Sequence, residues 1–244
     1  MTTSTCLLRP IPGNDHKCRR HRAPSAVRGP LLALMVAATI TPVLGAGCAG
    51  LSRRVDRGAL AAVPNEELLL LFDAEHAVYI ARDEVETAAR ALLDARAALQ
   101  RARNYDDVIA ARRDSGAAID TVAVLALLEQ WNDARIAMRE AELDLRTIEV
   151  DGSDVRLWAA RARYEREKAR LVKEKNPAVG AGLDLDDFDE QARDWTEREA
   201  AVQQRIDERT AAVVAARAAY FELSRRLQEQ SRGAYGGPWA DLLD

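Results

Sequence analysis

From Leu71 onward the apolar residues return at alternating steps of three and four. One position reads Leu71, Val78, Val85, Leu92, Leu99, and the other reads Ala74, Ala81, Ala88, Ala95, Ala102. A mean period of about 3.5 residues is that of a left-handed coiled coil. It predicts a long helix whose seam alternates a branched side chain with alanine, which lets a neighbouring helix approach closely. At its start, Asn65 reads as the N-cap, and Glu66 and Glu67 suit the positive end of a helix. The pattern weakens at Asn104-Tyr105-Asp106-Asp107, and Asp114-Ser115-Gly116 reads as a turn.

A second seam follows: Val124, Leu127, Trp131, Ala134, Met138, Ala141, Leu145, Ile148, Gly152, Val155, Ala159, Ala162. Read locally, Asp151-Gly152-Ser153 is a loop signal. The three–four phase nevertheless passes through it, and a loop has no reason to preserve register. Glycine inside a helix costs only about 1 kcal/mol relative to alanine. One helix from about 117 to 175 is therefore expected. Asn176-Pro177, Gly180 and Gly182 end it. Asp184-Leu185-Asp186-Asp187 then opens a third helix with seam Phe188, Ala192, Trp195, Glu199, Val202, Ile206, Arg209, Val213, Ala216, Tyr220, Leu223, Leu227. Glu199 and Arg209 either specify register from within that seam or reach outward. Short turns between long helices imply antiparallel neighbours. At about 1.5 Å per residue, the helices would be roughly 55–70, 85–90 and 65–70 Å long. The expectation is an all-α fold: an elongated antiparallel coiled-coil bundle of about three long helices over residues 65–230.

Composition fits this picture, with 30% charged residues and only 5% aromatics, because elongated helices bury narrow seams. Charge is unevenly placed. Of 35 basic and 39 acidic residues, six and one lie in residues 1–47, which leaves 29 against 38 in the body, a net of −9. Phosphate neutralisation needs clustered Lys and Arg, so an acidic body argues against nucleic acid as a partner.

Residues 31–44 form an uncharged run of 14, preceded by basic residues. A standard membrane-spanning helix needs about 20 apolar residues, whereas this length suits the hydrophobic region of a signal peptide. The run leads into Leu44-Gly45-Ala46-Gly47-Cys48-Ala49-Gly50. This junction resembles the lipobox of bacterial lipoproteins, in which small residues precede a cysteine that is lipidated and becomes the new N-terminus. The family's large aliphatic residue stands one place further out here, at Leu44, with Gly45 in its usual position. The resemblance implies a signal peptide over 1–47 and lipid attachment at Cys48; the following residues contain Gly50, Gly58 and Pro64 and no strong period, so 48–64 reads as a lipidated tether. The resemblance also implies acyl chains, palmitate among them, and, with Ala49 rather than an acid after the cysteine, an outer-membrane location facing the periplasm. The other readings of the run are an uncleaved membrane anchor extended by Ala46 and Ala49, and an ordinary buried apolar segment. Residues 1–26 are long for a signal n-region and read as disordered or spurious, with translation starting near Val27. A peptide from residues 1–20 in mass spectrometry would rule that start out. Arg19-Arg20 lacks the apolar residues that should follow a twin-arginine signal.

Candidate chemistry is sparse. Cleavage before Cys48 would leave one cysteine of the three (Cys6, Cys18, Cys48), too few for a disulfide or a cysteine zinc site. Beyond the leader the one histidine is His76, which reads as a surface or seam-edge residue rather than a ligand. The run Asp184, Asp186, Asp187, Asp189, Glu190 lacks the glycine and terminal glutamate of a hand-type calcium loop, and reads as helix capping. Trp131, Trp158, Trp195 and Tyr164 read as seam or seam-edge packing, whereas Tyr235 and Trp239 lie on a flexible aromatic tail, 231–244, and either dock elsewhere or fold back. No catalytic, cofactor-binding or metal residue is assigned, no cofactor or small-molecule substrate is expected, and the chain does not read as an enzyme.

The expected function is that of a lipid-anchored cell-envelope protein. Its periplasmic coiled-coil rod would project from the membrane and serve a structural or protein-docking role, or self-associate. A second expectation is an accessory component of a trans-envelope transport or efflux assembly. Arg163-Tyr164-Glu165-Arg166-Glu167 through Asp187-Phe188-Asp189-Glu190 and on to Ala219 loosely resembles the helical hairpin of efflux adaptors. A periplasmic chaperone with helical arms ranks third, because no basic client-gripping surface is present.

Overall fold

A computed structural model describes residues 50–61, 63–116 and 121–235. Contacts divide the chain into units 1–46 and 47–244, and every described residue belongs to the second. Residues 1–49 and 236–244, and with them the expected signal peptide, Cys48 and Trp239, lie outside the described residues. The elements are α1 (Arg57–Ala61), α2 (Asn65–Leu68), a 3-10 turn (Leu69–Leu71), α3 (Phe72–Ser115), α4 (Val122–Lys175), α5 (Pro177–Gly180) and α6 (Leu185–Gln230). No strand occurs among the described residues. The fold is all-α, as the seams predict.

Helix starts and stops follow local chemistry. Asn65 is not the N-cap but the first helical residue. Pro64 holds the cap position with φ −57° and ψ 140°, and its carbonyl accepts from the Glu67 and Leu68 amides at 3.0 and 3.3 Å. Gly116, at φ 62°, closes α3 in the left-handed conformation that glycine adopts without steric cost. Thr121 caps α4 by accepting from the Val124 amide at 3.3 Å, and Asp184 caps α6 by accepting from the Asp186 amide at 3.0 Å. The weak stretch Asn104–Asp107 does not end α3, which runs on to Ser115. Tyr105 meets Trp131 edge-on at 5.7 Å, and Asp106 accepts from Asn132 Nδ2 at 2.7 Å, so this polar stretch continues the seam.

The 44, 54 and 46 residues of α3, α4 and α6 correspond to lengths of about 66, 81 and 69 Å. Early α3 and the turn before it pack on late α4 (Ala81 with Leu157 and Ala160, Leu71 with Ala169 and Val172), and late α3 packs on early α4 (Ile109 with Val124 and Trp131). In α6, Phe188 joins the first group and Leu227 the second. Both outer helices therefore run antiparallel to α4. They pack along α4 far more than on each other. Twenty residues of α4 are buried, against four in α3 and six in α6, which marks α4 as the central helix with two covered faces.

The register through Asp151-Gly152-Ser153 holds, and α4 is continuous there. The glycine has a packing reason. A Cβ at Gly152 would lie 2.9 Å from Ile206 Cδ1 and 3.0 Å from Val202 Cγ1, so its absence lets α6 come close. Ser153 is fully buried and donates back to the Val150 carbonyl at 2.8 Å. Of the two charged seam positions in α6, Glu199 pairs with Arg163 of α4 at 2.6 Å, whereas Arg209 is exposed.

Candidate functional site

The residues preceding α2 read as a tether, yet most are docked on the helices. Residues 50–56 lack periodicity because they run as non-helical chain held by side chains distant in sequence. Gln191 of α6, only 7% exposed, grips the backbone of Arg53 on both sides. Its Oε1 accepts from the Arg53 amide at 2.9 Å and its Nε2 donates to the Arg53 carbonyl at 3.1 Å. The Ser52 hydroxyl donates to the same Oε1 at 3.0 Å. Two residues on, the Val55 amide donates to Glu165 Oε2 of α4 at 2.8 Å. Glu165 is itself fixed from below, because Lys168 Nζ donates to its other oxygen at 2.5 Å and lies 4.7 Å over the Tyr164 ring. Burial, reinforced by the negative charges of Glu75 and Glu165, pushes the Tyr164 hydroxyl above its ordinary pKa. Arg53 pairs with Asp187 at 2.7 Å. Val55 and Val63 are buried against Ala169, Val172 and Phe188. The chain thus enters along the α4–α6 groove and follows α4 towards its C-terminal end. There α1 and Pro64 turn it into α3.

At the entry point, a Cβ built on Gly50 would lie 3.9 Å from Trp158 Cη2. Trp158 of α4 and Trp195 of α6 stack at 5.9 Å with 26° between their planes. Arg161 lies 4.8 Å over the first ring and Arg198 lies 4.6 Å over the second. A shallow groove of about 300 Å³ opens beside Gly50, Arg53, Gln191, Trp195 and Arg198, with Glu190 and Asp194 on its rim.

At the far end, Trp131 is 2% exposed, donates from Nε1 to Ser224 Oγ at 2.8 Å, and touches the rings of Tyr105 and Tyr220. Asn132 is fully buried and donates to the Ala102 carbonyl at 3.2 Å as well as to Asp106. The Arg135 guanidinium lies over the Tyr105 and Trp131 rings at 5.6 and 5.5 Å. Part of the expected flexible tail is docked here. Tyr235 accepts from Arg112 at 2.9 Å, and Ser231 Oγ accepts from the Tyr235 amide at 3.0 Å.

No family model, curated protein or solved structure matches this chain. Its sites are therefore read from geometry alone.

Other candidates have structural partners. His76 is exposed and stacks on Phe72 at 6.0 Å, and among the described residues no cluster of His, Cys, Asp or Glu could hold a metal ion. In the acidic run, Asp184 caps α6, Asp187 pairs with Arg53, and Asp189 pairs with Arg170 at 2.8 Å. Trp131 packs between helices from its seam position, and Trp158 at the edge of the α4 seam stacks on Trp195 of α6. Residues 163–219 form a helical hairpin of α4 and α6 joined through α5. Gln191 and Glu165 carried no signal as site residues in the sequence. Each looks like an ordinary polar helix residue until the chain at 52–55 is laid against it.

Proposed function

We propose that this chain is a lipid-anchored protein of the bacterial cell envelope, attached at Cys48, with a structural or protein-docking role in the periplasm. One observation carries the reading: the 14-residue uncharged run over 31–44 leads through small residues into Cys48. The lipid is the membrane attachment in this reading, and no described helix is long and apolar enough to cross a bilayer. Acyl chains in combination anchor a protein stably where a single chain does not. Ala49 after the cysteine favours the outer membrane. The docking role is supported by an exposed apolar stretch at the start of α3, where Leu69, Leu70, Phe72, Tyr79 and Ile80 are between 49% and 73% accessible. Partners are a membrane, through lipid, and another protein or a second copy, through helices; neither catalysis nor a cofactor is part of the proposal.

Cys48→Ser is the test. The expected result is loss of leader processing and transfer of the protein from the membrane to the aqueous fraction, and unchanged processing and partition would sink the reading. An accessory role in a trans-envelope transport assembly is the second reading, favoured by the α4–α6 hairpin. Crosslinks from that hairpin to an outer-membrane channel would promote it.

A further inference from the structure

A lipid on Cys48 constrains how the helices can sit on a membrane, because the chain beside it is not free. Residues 48 and 50 are two steps apart, a reach of about 7 Å at full extension. Gly50 lies against Trp158, and Arg53 and Val55 are clamped by Gln191 and Glu165. The acyl chains therefore leave from the flank of α4, not from an end of it. Seventeen residues of α4 separate Trp158 from Lys175, about 25 Å of helix, and 36 separate it from Val122, about 54 Å.

A helix standing upright on such an anchor would have to push one of these lengths into a hydrocarbon core about 30 Å thick. The shorter end carries exposed Lys173, Glu174, Lys175, Asp184 and Asp186, which the bilayer interior excludes. The longer end would reach past the far leaflet. Only an orientation along the surface satisfies the clamp, the anchor and the charges together.

Resting on the lipid anchor proposed above, we infer that the helices lie along the membrane. In that orientation Trp158, Trp195, Arg161 and Arg198 meet the lipid headgroups beside acylated Cys48. The chemistry of this patch fits the site. Tryptophan favours the headgroup level of a bilayer, with its ring at the apolar boundary and its N–H in the polar layer. Arg161 and Arg198 stack on the two rings, and no carboxylate pairs with either guanidinium among the described residues. Both can donate to lipid phosphates. Exposed Arg54 and Arg57 lie on the same docked segment, while Glu190 and Asp194 limit the attraction to a local one. This reverses the expectation of a rod projecting from its anchor.

The test is neutron reflectometry on the acylated protein, processed at Cys48 and reconstituted in a supported bilayer of phosphatidylethanolamine and phosphatidylglycerol. A surface-lying orientation gives a protein layer of about 20 Å, two helix diameters, whereas an upright one gives about 80 Å. In vesicles of the same lipids with brominated acyl chains, the wild-type tryptophan emission should be quenched. Most of that quenching should be lost in Trp158→Phe/Trp195→Phe, with circular dichroism reporting whether the variant stays helical. Gln191→Ala, which releases the clamp, should thicken the layer. A layer near 80 Å from protein whose mass shows acylated Cys48 overturns this inference and leaves the anchor standing. An unmodified Cys48 with no layer formed overturns both.

Discussion

The two ends of the helical unit are closed by different means. At one end α3, α4 and α6 close on themselves. Trp131, Tyr105 and Tyr220 fill the space between them, and Asn132 and Arg135 are buried with partners from the same cluster. At the other end the α4–α6 groove is covered by a segment that precedes all three helices, held through Gln191 and Glu165. The first end draws its stability from large side chains already carried by the helices. The second links the helical unit to the N-terminal chain, so that whatever holds residue 48 is mechanically continuous with α4 and α6. Where a connection is needed, a polar side chain with two backbone contacts ties the chain down beside the aromatic packing of Trp158, Trp195 and Phe188.

The strongest way to break the comparison is Trp131→Ala. Losing a buried aromatic should cost about 3–5 kcal/mol in chemical denaturation. Hydrogen exchange at residues 52–55 should change little below the unfolding transition. If that segment loosened equally, the two ends would not be distinct.

Gln191→Ala probes the other end and should cost about 1–3 kcal/mol, the range for leaving partly buried polar groups without partners. Its signature is local: faster exchange of the Arg53 amide and protease sensitivity before α1, with Trp131 fluorescence unchanged. Equal stability and unaltered protection would show that the clamp contributes nothing.

Much of this architecture was legible in the sequence, for a physical reason. α3 and α6 each cover one face, and a one-sided helix announces itself by a single apolar stripe. α4 covers two. Its α6-facing row was readable through Gly152, but its buried residues also include Asn132, Arg135, Ser153 and Lys168. Buried polar residues look solvent-facing in a hydropathy pattern, whether their partners lie on another helix, as Asp106 does for Asn132, or on α4 itself, as Val150 does for Ser153 and Glu165 for Lys168. Within the expected tether over 48–64, the docking of residues 52–55 left no trace in the sequence for a related reason. The segment's contacts are hydrogen bonds to side chains 110 to 139 residues away, and neither a period nor a composition records them. Cys48 was legible only as a junction motif and lies outside the described residues.

Between the two ends, Gly152→Ala sharpens the picture of how closely the helices meet. The added methyl would press on Ile206 and Val202, a strain of about 1–3 kcal/mol, partly offset by about 1 kcal/mol of helix propensity. A net loss of about 1 kcal/mol in thermal or chemical unfolding is expected, and stabilisation would mean that α6 stands further off.

The smallest effect is at Glu142, mid-helix. Burial alone would raise its pKa, but hydrogen bonds from Arg217 and Arg139 outweigh that and hold it below the ordinary value of 4.5. A carboxylate depressed on folding contributes stability above its unfolded pKa and loses it as pH falls through the folded value. The stability gap between wild type and Glu142→Gln should therefore be widest above about pH 5 and close on acidification. A gap that is constant with pH would remove this ion pair from the account.

Residues 52–55 are a built part of the helical unit. Amide hydrogen exchange of Arg53 and Val55 in the intact protein reads it directly. Protection comparable with that of α6 around Gln191 is the predicted result, and exchange at the rate of a free peptide would contradict it.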